Sequence, residues 1–326
     1  MTGEKLRAAV IGCGKIGSTF ADDPNRDKLG VYSHAEAYSV CNEVELVAIC
    51  DIDQRLAQSC AQRWGVGKIY TDAEELFESE KLDVVSICTP DSTHELVATL
   101  ALAANGLKGI LMEKPLATDL AAAEKLVELS RTEGVTLAVN YSRRYSPVFQ
   151  KLKNSIAVGE IGALQAVHGY YTKGIIHNGT HWIDLLRFLV GDIVSGKSIG
   201  QISKGDIDPD LDAVFELECN ALALLQVIDE RAYSVFEMDI LGEDGRIRIS
   251  DAGCTIEQYS VGPSPYAEGY QILIPDSQPA EKSMRDLTLY AVMDLVESIN
   301  SASEPRCTGS DAMAALKLAL DVCGRL

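Results

Sequence analysis

A short apolar run, residues 6–11, ends at the glycine-rich segment Gly12-Cys13-Gly14-Lys15-Ile16-Gly17 and limits the folds open to this chain. This G-x-G-x-x-G spacing after a strand is typical of the first turn of a dinucleotide-binding sheet. The first glycine permits a sharp turn, the second exposes bare backbone to a pyrophosphate, and the third lets the following helix pack closely. We therefore expect Gly12, Gly14, Lys15, Ile16 and Gly17 to bind the cofactor. Glycine-rich turns also occur without ligands, so the context of the motif decides.

A second apolar run, residues 44–50, ends in Asp51. A carboxylate at this position accepts hydrogen bonds from an adenosine ribose and repels a 2′-phosphate, which favours NAD. Arg55 lies four residues further on and leaves NADP open as a second cofactor. The alternative interpretation of Asp51 is the N-cap of the next helix.

The spacing between the motif and this acid is unusual. Asp51 follows Gly17 by 34 residues, where about 20 is usual. The excess is a polar stretch with proline and glycine, residues 20–30, which predicts an inserted loop. We expect the helix to resume near Ser33.

Strand-like and helix-like segments alternate in the first half of the chain, whereas strand-like runs follow one another in the second half. This order predicts an α/β protein with an N-terminal parallel Rossmann sheet, residues 1–141, and a C-terminal α/β domain, residues 142–326, with a large, mostly antiparallel open sheet. Two late helices, near 284–301 and 310–323, would cover only part of that sheet. An uncovered apolar face predicts self-association as a homodimer or homotetramer.

Composition excludes several classes of partner. The net charge of −19 argues against nucleic acid and anionic membranes, which both require a basic face. No run of 18 apolar residues and no signal-like N-terminus is present, so we expect a cytoplasmic protein. The nine cysteines are scattered without a CxxC pair, and Cys13, Cys50 and Cys88 are expected to be reduced packing residues.

Two strand ends carry residues that packing explains poorly. Strand ends of an open parallel sheet face the ligand crevice, and Thr89-Pro90 and Glu113-Lys114-Pro115 follow buried-looking strands. The ammonium of Lys114 needs water or a partner at such a place. Lys114 is therefore a catalytic candidate, and a purely structural pair with Glu113 is the alternative.

The stretch 173–187 contains the other catalytic candidates, His177, His181 and Asp184. If a helix begins near Thr180, His181 and Asp184 share one face at i, i+3 spacing, where an imidazole can act as a general acid or base. A helix cap or a surface group is the alternative for His181. The spacing of His177 and His181 also resembles a metal pair, but Gly179 interrupts any helix between them and no HExxH glutamate is present. We therefore predict no metal site.

Two adjacent arginines, Arg143 and Arg144, follow the last predicted strand of the first domain. They suit either an anionic substrate or ion pairs with the carboxylates of this acidic protein. The sequence does not decide between these roles.

Together these elements resemble the glucose–fructose oxidoreductase / inositol dehydrogenase / rhizopine-catabolism (Gfo/Idh/MocA) family. The elements that carry the resemblance are Gly12-x-Gly14-x-x-Gly17, Asp51, Thr89-Pro90 with His94, Glu113-Lys114-Pro115, residues 140–144 and Gly179-x-His181-x-x-Asp184. The resemblance implies NAD(P)-linked oxidation or reduction of a sugar, cyclitol or nucleotide sugar. It places Lys114 and His181 at the reacting hydroxyl, with Asp184 contacting the substrate or orienting the site. Thr89, Pro90, His94 and Glu113 are then expected at the cofactor, and Lys173 and Asn178 at the substrate.

The chain departs from the family pattern at one position. Family members commonly carry aspartate four positions before the motif histidine, and this chain has His177 there. The identity of the catalytic base therefore stays open. A nucleotide sugar is the favoured substrate class. A non-catalytic NAD(P)-binding sensor, and a glycosidase or lyase that uses NAD transiently, are the rival functions.

Overall fold

The computed structural model describes residues 4–24, 26–203, 208–276 and 283–325. These residues group into two compact units. The first contains the described residues up to Tyr145 together with Arg285–Ala314, and the second contains Ser146–Met284 together with the residues from Ala315 onward. The boundary therefore differs from a single break at residue 141, because a later segment of the chain returns to the first unit.

The helices of the described chain begin and end as follows. They are α1 (Arg26–Leu29), α2 (His34–Val40), α3 (Gln54–Trp64), α4 (Ala73–Ser79), α5 (His94–Leu102), α6 (Leu120–Glu133), α7 (Pro147–Ala157), α8 (Thr180–Val190), α9 (Leu287–Ser301) and α10 (Gly309–Val322). Local sequence explains several of these ends. Asp53, Asp72 and Asp119 each accept a backbone N–H as N-caps of α3, α4 and α6, which satisfies donors that the first turn leaves unpaired.

Six strands of the described chain form the parallel sheet of the first unit. They are β1 (Leu6–Ile11), β2 (Val44–Cys50), β3 (Lys68–Tyr70), β4 (Val84–Ile87), β5 (Gly109–Met112) and β6 (Thr136–Val139), in the spatial order β3-β2-β1-β4-β5-β6. Strands β1, β4 and β5 are almost wholly buried, as expected where helices cover both faces of a parallel sheet. The predicted Rossmann sheet is confirmed.

The inserted segment interrupts the first helix without displacing it. The backbone N–H of His34 donates to the Ile16 carbonyl at 3.0 Å, and that of Ala35 donates to the Gly17 carbonyl at 2.9 Å. Ser33 caps the new helix by accepting from the Glu36 N–H. Helix α2 therefore begins directly against the glycine turn, and the prediction that the helix resumes near Ser33 is confirmed.

The second unit contains an eight-stranded sheet built from described residues. Its strands are β7 (Leu164–Tyr171), β8 (Ile193–Ser203), β9 (Asp210–Leu217), β10 (Leu222–Val227), β11 (Glu237–Gly242), β12 (Gly245–Ser250), β13 (Thr255–Pro263) and β14 (Gln271–Pro275), in the order β14-β13-β12-β11-β7-β10-β9-β8. Only β7 and β10 pair in parallel among these neighbours. The prediction of a mostly antiparallel second sheet is confirmed.

Side chains alternate across the second sheet. Phe215 and Met238 are fully buried on its inner face, where the Trp182 ring of α8 stacks on Phe215 with ring centroids 6.2 Å apart. On the outer face, Arg246 donates to both carboxylate oxygens of Asp239 at 2.8 Å. This part of the outer face is therefore ion-paired rather than uniformly apolar.

Helix α9 also differs from its expected place. It lies within the first unit and packs against α2, β5 and β6, where Ala291, Val292 and Leu295 are buried. The first unit thus obtains a covering helix from a segment that comes late in the sequence.

Candidate active site

The three glycines of the first turn are used differently. Gly12 has φ = +94°, and a Cβ on it would lie 2.6 Å from the Cys88 backbone. A Cβ on Gly17 would collide with the Gly12 carbonyl oxygen. A Cβ on Gly14, by contrast, would meet no atom within 4 Å. The open side of Gly14 is therefore where a pyrophosphate can approach bare backbone, and the turn fits a dinucleotide.

Asp51 ties the end of β2 to this turn. Its Oδ2 accepts the Cys13 N–H at 2.6 Å, and its Oδ1 accepts the Asp53 N–H at 2.8 Å. The N-cap of α3 is Asp53 and not Asp51, so the alternative interpretation of Asp51 is wrong. Because an ionised carboxylate has about four acceptor sites, Asp51 retains capacity for ribose hydroxyls. Arg55 lies against Asp53, with a 3.4 Å ion pair.

The carboxyl ends of β4, β5 and β6 carry a connected set of polar side chains. One oxygen of Glu113, Oε1, accepts from His34 Nε2 at 2.9 Å and from Asn140 Nδ2 at 2.6 Å. Burial alone would raise the pKa of Glu113. The hydrogen bonds from His34 and Asn140 and the charges of His34 and Lys114 outweigh it and hold this pKa below its ordinary range. Glu113 is therefore a carboxylate at neutral pH.

Lys114 is half-buried and follows this carboxylate directly, and the peptide bond between Lys114 and Pro115 is cis. Glu113 accepts hydrogen bonds from His34 and Asn140, and Lys114 acts on it through its charge. Glu113 therefore has two hydrogen-bond donors in addition to the charge of Lys114.

Two buried polar atoms at the same sheet edge have no hydrogen-bond partner among the described residues. They are Thr89 Oγ1 and Asn140 Oδ1. Since Asn140 Nδ2 faces the Glu113 carboxylate, its amide oxygen must point elsewhere. Buried polar atoms are nearly always paired in the working protein, so a ligand with N–H or O–H donors fits here.

His94 has a different place from the one expected. Its side chain is fully buried, with Nδ1 lying 2.7 Å from the Pro115 carbonyl and Nε2 lying 2.9 Å from the Thr89 carbonyl. The ring therefore joins the loop after β4 to the loop after β5. It supports the predicted cofactor residues from inside the protein.

The two adjacent arginines separate in the structure. Arg144 is buried, and its guanidinium lies 3.2 Å from the Asp311 carboxylate and 3.4 Å from the Arg306 carbonyl. Arg143 is half-buried on the same short turn. Arg144 thus takes the ion-pair role in the interior, and Arg143 is the more exposed of the two.

In the second unit, a π-helical turn, Gly174–Gly179, leads into α8. Two acidic residues hold this turn by its backbone. Asp208 accepts from the N–H groups of Ile176 and His177, both at 2.8 Å, and Asp210 accepts from the Gly174 N–H at 2.9 Å. A Cβ on Gly174 would collide with the Asp208 carboxylate, so glycine is needed there.

Burial raises the pKa of Asp208, and the two N–H donors and the nearby His177 only partly offset this. Asp208 comes 31 residues after His177, so sequence reasoning did not find it. The carboxylate that the family pattern places at residue 177 is absent, but a carboxylate from another segment lies against the backbone of that same residue.

The catalytic candidates of this segment differ in exposure. His177 is exposed, His181 is half-buried, and Asp184 is buried on α8. His181 and Asp184 are both on α8 at the expected i, i+3 spacing. Lys173 is exposed with φ = +71°, and the Asn178 amide donates to the Thr172 carbonyl at 2.7 Å, so Asn178 braces its own loop.

No group of three or more His, Cys, Asp or Glu side chains among the described residues is arranged to hold a metal ion. None of their helices has the length and apolarity needed to cross a bilayer. Cys13, Cys50 and Cys88 are buried, as predicted.

A cavity of about 820 Å³ lies at the opposite, amino ends of the parallel strands. Several of its charged side chains pair with one another, including Arg7 with Glu80 at 3.1 Å and Lys108 with Asp83 at 2.7 Å. Because ligands of open parallel sheets bind at the carboxyl ends, the cavity is not the candidate site.

Comparisons with known proteins agree with this geometry. Residues 6–141 match the model of an oxidoreductase family with an NAD-binding Rossmann fold, GFO_IDH_MocA. The chain is 26% identical over 351 residues to a myo-inositol 2-dehydrogenase of Thermotoga maritima, covering 96% of this chain and 94% of that protein. It is 31% identical over 200 residues to an inositol 2-dehydrogenase of Salmonella typhimurium, covering 57% of this chain and about half, 55%, of that protein.

A solved structure has the same fold over almost its whole length. It is a UDP-N-acetylglucosamine 3-dehydrogenase from Acidithiobacillus ferrooxidans, with a TM-score of 0.76, 22% identity, and coverage of 99% of this chain and 98% of that chain. The glycine turn, the Rossmann sheet and the Glu113-Lys114-Pro115 strand end all lie in the region matched by the family model. Over residues 6–141 the chain is therefore similar to the Gfo/Idh/MocA oxidoreductase family with its NAD-binding Rossmann fold, and over most of its length it is similar to a myo-inositol 2-dehydrogenase.

Proposed function

We propose that this chain is an NAD-dependent dehydrogenase that moves a hydride between the nicotinamide and a secondary hydroxyl or keto group of a sugar, with a nucleotide sugar as the favoured substrate class. The observation that carries the proposal is the half-buried Lys114 beside the ionised Glu113, at the strand edge that also holds the open glycine turn. A fixed cation at the carboxyl edge of a Rossmann sheet suits proton and hydride chemistry on a polar substrate.

The cofactor, when bound, supplies the hydride acceptor. The open face of Gly14 and the N–H groups of the turn would hold its pyrophosphate, and Asp51 would accept from the adenosine ribose. Thr89 Oγ1 and Asn140 Oδ1, which have no partner among the described residues, would take donors of the nicotinamide half. Lys15, Ile16 and Pro90 would line the path between them.

Lys114 is the proposed group that stabilises the developing alkoxide as the carbon loses its hydride. Its positive charge lowers the free energy of negative charge on the reacting oxygen, which is the largest contribution of most such sites. His181 is proposed to take the hydroxyl proton, with Asp184 on the same helix as the group that orients it. His177 is proposed to contact the substrate with Lys173, since both are exposed on the same turn.

The substrate class is proposed from chemistry and from relatives. Arg143 suits a phosphate or carboxylate because a guanidinium binds such groups with two parallel hydrogen bonds. The Thermotoga relative is named for myo-inositol, and the Acidithiobacillus structure for a UDP-linked sugar. A nucleotide sugar would satisfy both the polyol-like ring and the anionic group.

The test is turnover by the purified protein with NAD or NADP against nucleotide sugars, sugar acids and cyclitols, with Lys114→Met in parallel. Methionine keeps the length of the side chain and removes the charge. We expect kcat to fall by about 100-fold or more, with the dissociation constant of NAD changed less than about twofold. Lys108→Met is the matched control, because Lys108 precedes the amino end of the same strand and pairs with Asp83.

Unchanged turnover in Lys114→Met would contradict the assignment of Lys114. Binding of NAD without turnover of any substrate by the wild-type protein would favour the sensor. Cofactor that stays bound and cycles without net reduction would favour a glycosidase or lyase.

A further inference from the structure

A buried histidine lies behind the candidate lysine and is not used by the proposed chemistry. His34, at the start of α2, has no exposed surface. Its Nε2 lies 2.9 Å from Glu113 Oε1, and its Nδ1 lies 2.8 Å from Ser86 Oγ. Ser86 Oγ in turn lies 2.8 Å from the Tyr38 hydroxyl. A continuous chain of hydrogen bonds thus leads from the Tyr38 hydroxyl, through Ser86 and His34, to the Glu113 carboxylate next to Lys114.

The position of the hydrogen between His34 and Glu113 follows from the chemistry of the two groups. A carboxylate has no hydrogen to donate, so His34 Nε2 must carry the proton and donate to Glu113. The hydrogen bond between His34 Nδ1 and Ser86 Oγ can have either atom as the donor. Ser86 either donates to Nδ1, which leaves the ring neutral, or accepts from Nδ1 and donates to Tyr38, which leaves the ring charged. The donor on Glu113 is present in both.

The other groups around Glu113 do not compete for this role. Asn140 donates to the same oxygen, and Lys114 contributes its charge. Cys88 also faces Glu113, and burial raises the pKa of its thiol, so it stays neutral. Tyr38 is buried, and its pKa is raised as well. Cys88 and Tyr38 are therefore neutral, and Glu113 carries the negative charge of this cluster.

We propose that His34 is a positioning residue for Lys114: its Nε2–H holds Glu113 as a carboxylate in one orientation, and that carboxylate keeps the lysine charged and in place. The inference rests on the proposed role of Lys114 and extends it to a residue of the protein core. Since His34 is fully buried, it reaches neither cofactor nor substrate and acts only through Glu113. The Nε2–H donor is present in both arrangements of the Ser86 hydroxyl, so the hydrogen bond to Glu113 does not depend on which arrangement is adopted.

The decisive experiment measures the titration of the Glu113 carboxyl by ¹³C NMR, with its signal assigned from Glu113→Gln. In the wild type, we expect the midpoint to lie below that of an ordinary glutamate. In His34→Leu, one of the two donors is lost, and we expect the midpoint to rise by about one pH unit or more. In His34→Gln, an amide N–H can replace the lost donor, and we expect less than half of that rise.

Ser86→Ala is the matched control. This substitution removes the hydrogen bond between Ser86 and His34 Nδ1 but leaves the Nε2–H that donates to Glu113. We therefore expect the titration midpoint of Glu113 to stay within about 0.3 pH units of the wild type. In the enzyme assay, the acid limb of the kcat profile should move with the Glu113 midpoint in each variant. The dissociation constant of NAD should change less than about twofold, because His34 does not reach the cofactor.

An unchanged midpoint in a folded His34→Leu variant would overturn the proposal, as would a kcat loss that is equal at every pH. If His34→Leu does not fold, the Glu113 midpoints of the wild type and of His34→Gln still test the proposal. A wild-type Glu113 midpoint at or above that of an ordinary glutamate would overturn the proposal. The NMR titration needs no substrate. A shifted midpoint without turnover would therefore contradict the proposed function and leave the link between His34 and Glu113 intact.

Discussion

Asp51 accepts the backbone N–H of Cys13 at 2.6 Å, so the acid expected to bind the ribose also holds the glycine turn. Its two oxygens each take one backbone donor, from Cys13 and from Asp53. We therefore expect Asp51 to link the choice of cofactor to the shape of the turn.

For Asp51→Asn, we expect NAD to bind roughly 10- to 100-fold more weakly, because hydrogen bonds to a charged group contribute about 1.5–3 kcal/mol. Binding of NADP should change less, since its 2′-phosphate no longer meets a negative charge. Fluorescence titration of both cofactors measures this. Asp53→Asn is the control, because Asp53 caps α3 and does not contact the turn's N–H groups. Equal NAD affinity in Asp51→Asn and the wild type would contradict the assignment.

Gly14 and Gly67 offer a matched pair. A Cβ on either would meet no atom within 4 Å in the protein itself, so both Gly14→Ala and Gly67→Ala should keep the thermal midpoint of the wild type. Only Gly14→Ala should weaken NAD binding, by about tenfold or more, since the new methyl group occupies the path of the pyrophosphate. Loss of affinity in both variants, or in neither, would mean that the pyrophosphate lies elsewhere. Calorimetric titration with NAD distinguishes these outcomes.

Asp208 is expected to position the turn that carries His177. Asp208→Asn keeps one good acceptor for the N–H groups of Ile176 and His177 and loses the second. We expect kcat to fall by about 10- to 100-fold without a change in NAD affinity. Asp212→Asn is the control, because Asp212 also accepts a backbone N–H, that of Val227 at 2.9 Å, within the sheet. Steady-state kinetics should separate the two, and equal kcat values in both variants would count against a role for Asp208.

Glu80 is expected to make a pH-dependent contribution to the free energy of unfolding. Its side chain is nearly buried and accepts from Arg7, Lys68 and the Tyr70 hydroxyl. Burial would raise the pKa of Glu80, but the hydrogen bonds from Lys68 and Tyr70 and the charges of Lys68 and Arg7 hold it below its ordinary value. A depressed carboxyl pKa stabilises the folded state above the unfolded pKa of about 4.3, and this stability is lost as the pH falls through the folded value.

We therefore expect Glu80→Gln to lower the free energy of unfolding by about 1–3 kcal/mol at pH 7. The difference from the wild type should shrink below about pH 4, where the wild-type carboxyl also becomes neutral. Urea denaturation at several pH values measures it. Glu128→Gln is the control, since Glu128 pairs with Arg131 on an exposed helix face. A difference that stays constant down to acid pH would show that the charge of Glu80 is not responsible.

Local patterns predicted a large part of the molecule. The glycine spacing after β1, the polar insertion and the cap at Ser33 depend on residues close in sequence, and the structure has each of them where it was expected. The strand-end position of Lys114 followed from the same alternation of strands and helices. Hydrophobic periodicity, turn residues and helix caps depend on residues that are neighbours in sequence, so they can be predicted without knowledge of the three-dimensional structure.

The partners of these residues could not be read in the same way. Asp208 comes 31 residues after His177, and Glu113 comes 79 residues after His34. The sequence suited Arg143 and Arg144 equally to an anionic substrate or to an ion pair. In the structure, Arg144 is the buried one and pairs with Asp311. His94 looked like a cofactor ligand, and its ring joins two carbonyl groups inside the protein. In each case, the side chain's role depends on a partner that no sequence pattern identifies.

Hydrophobic period and glycine spacing predicted the parallel sheet, the dinucleotide-binding turn and the residues at the carboxyl ends of its strands. The three-dimensional fold was needed to show which charges are paired, which polar atoms remain unpaired among the described residues, and which buried histidine donates to Glu113. Electrostatic and hydrogen-bond partners act over a few ångströms in space, and folding brings them together from positions far apart in sequence.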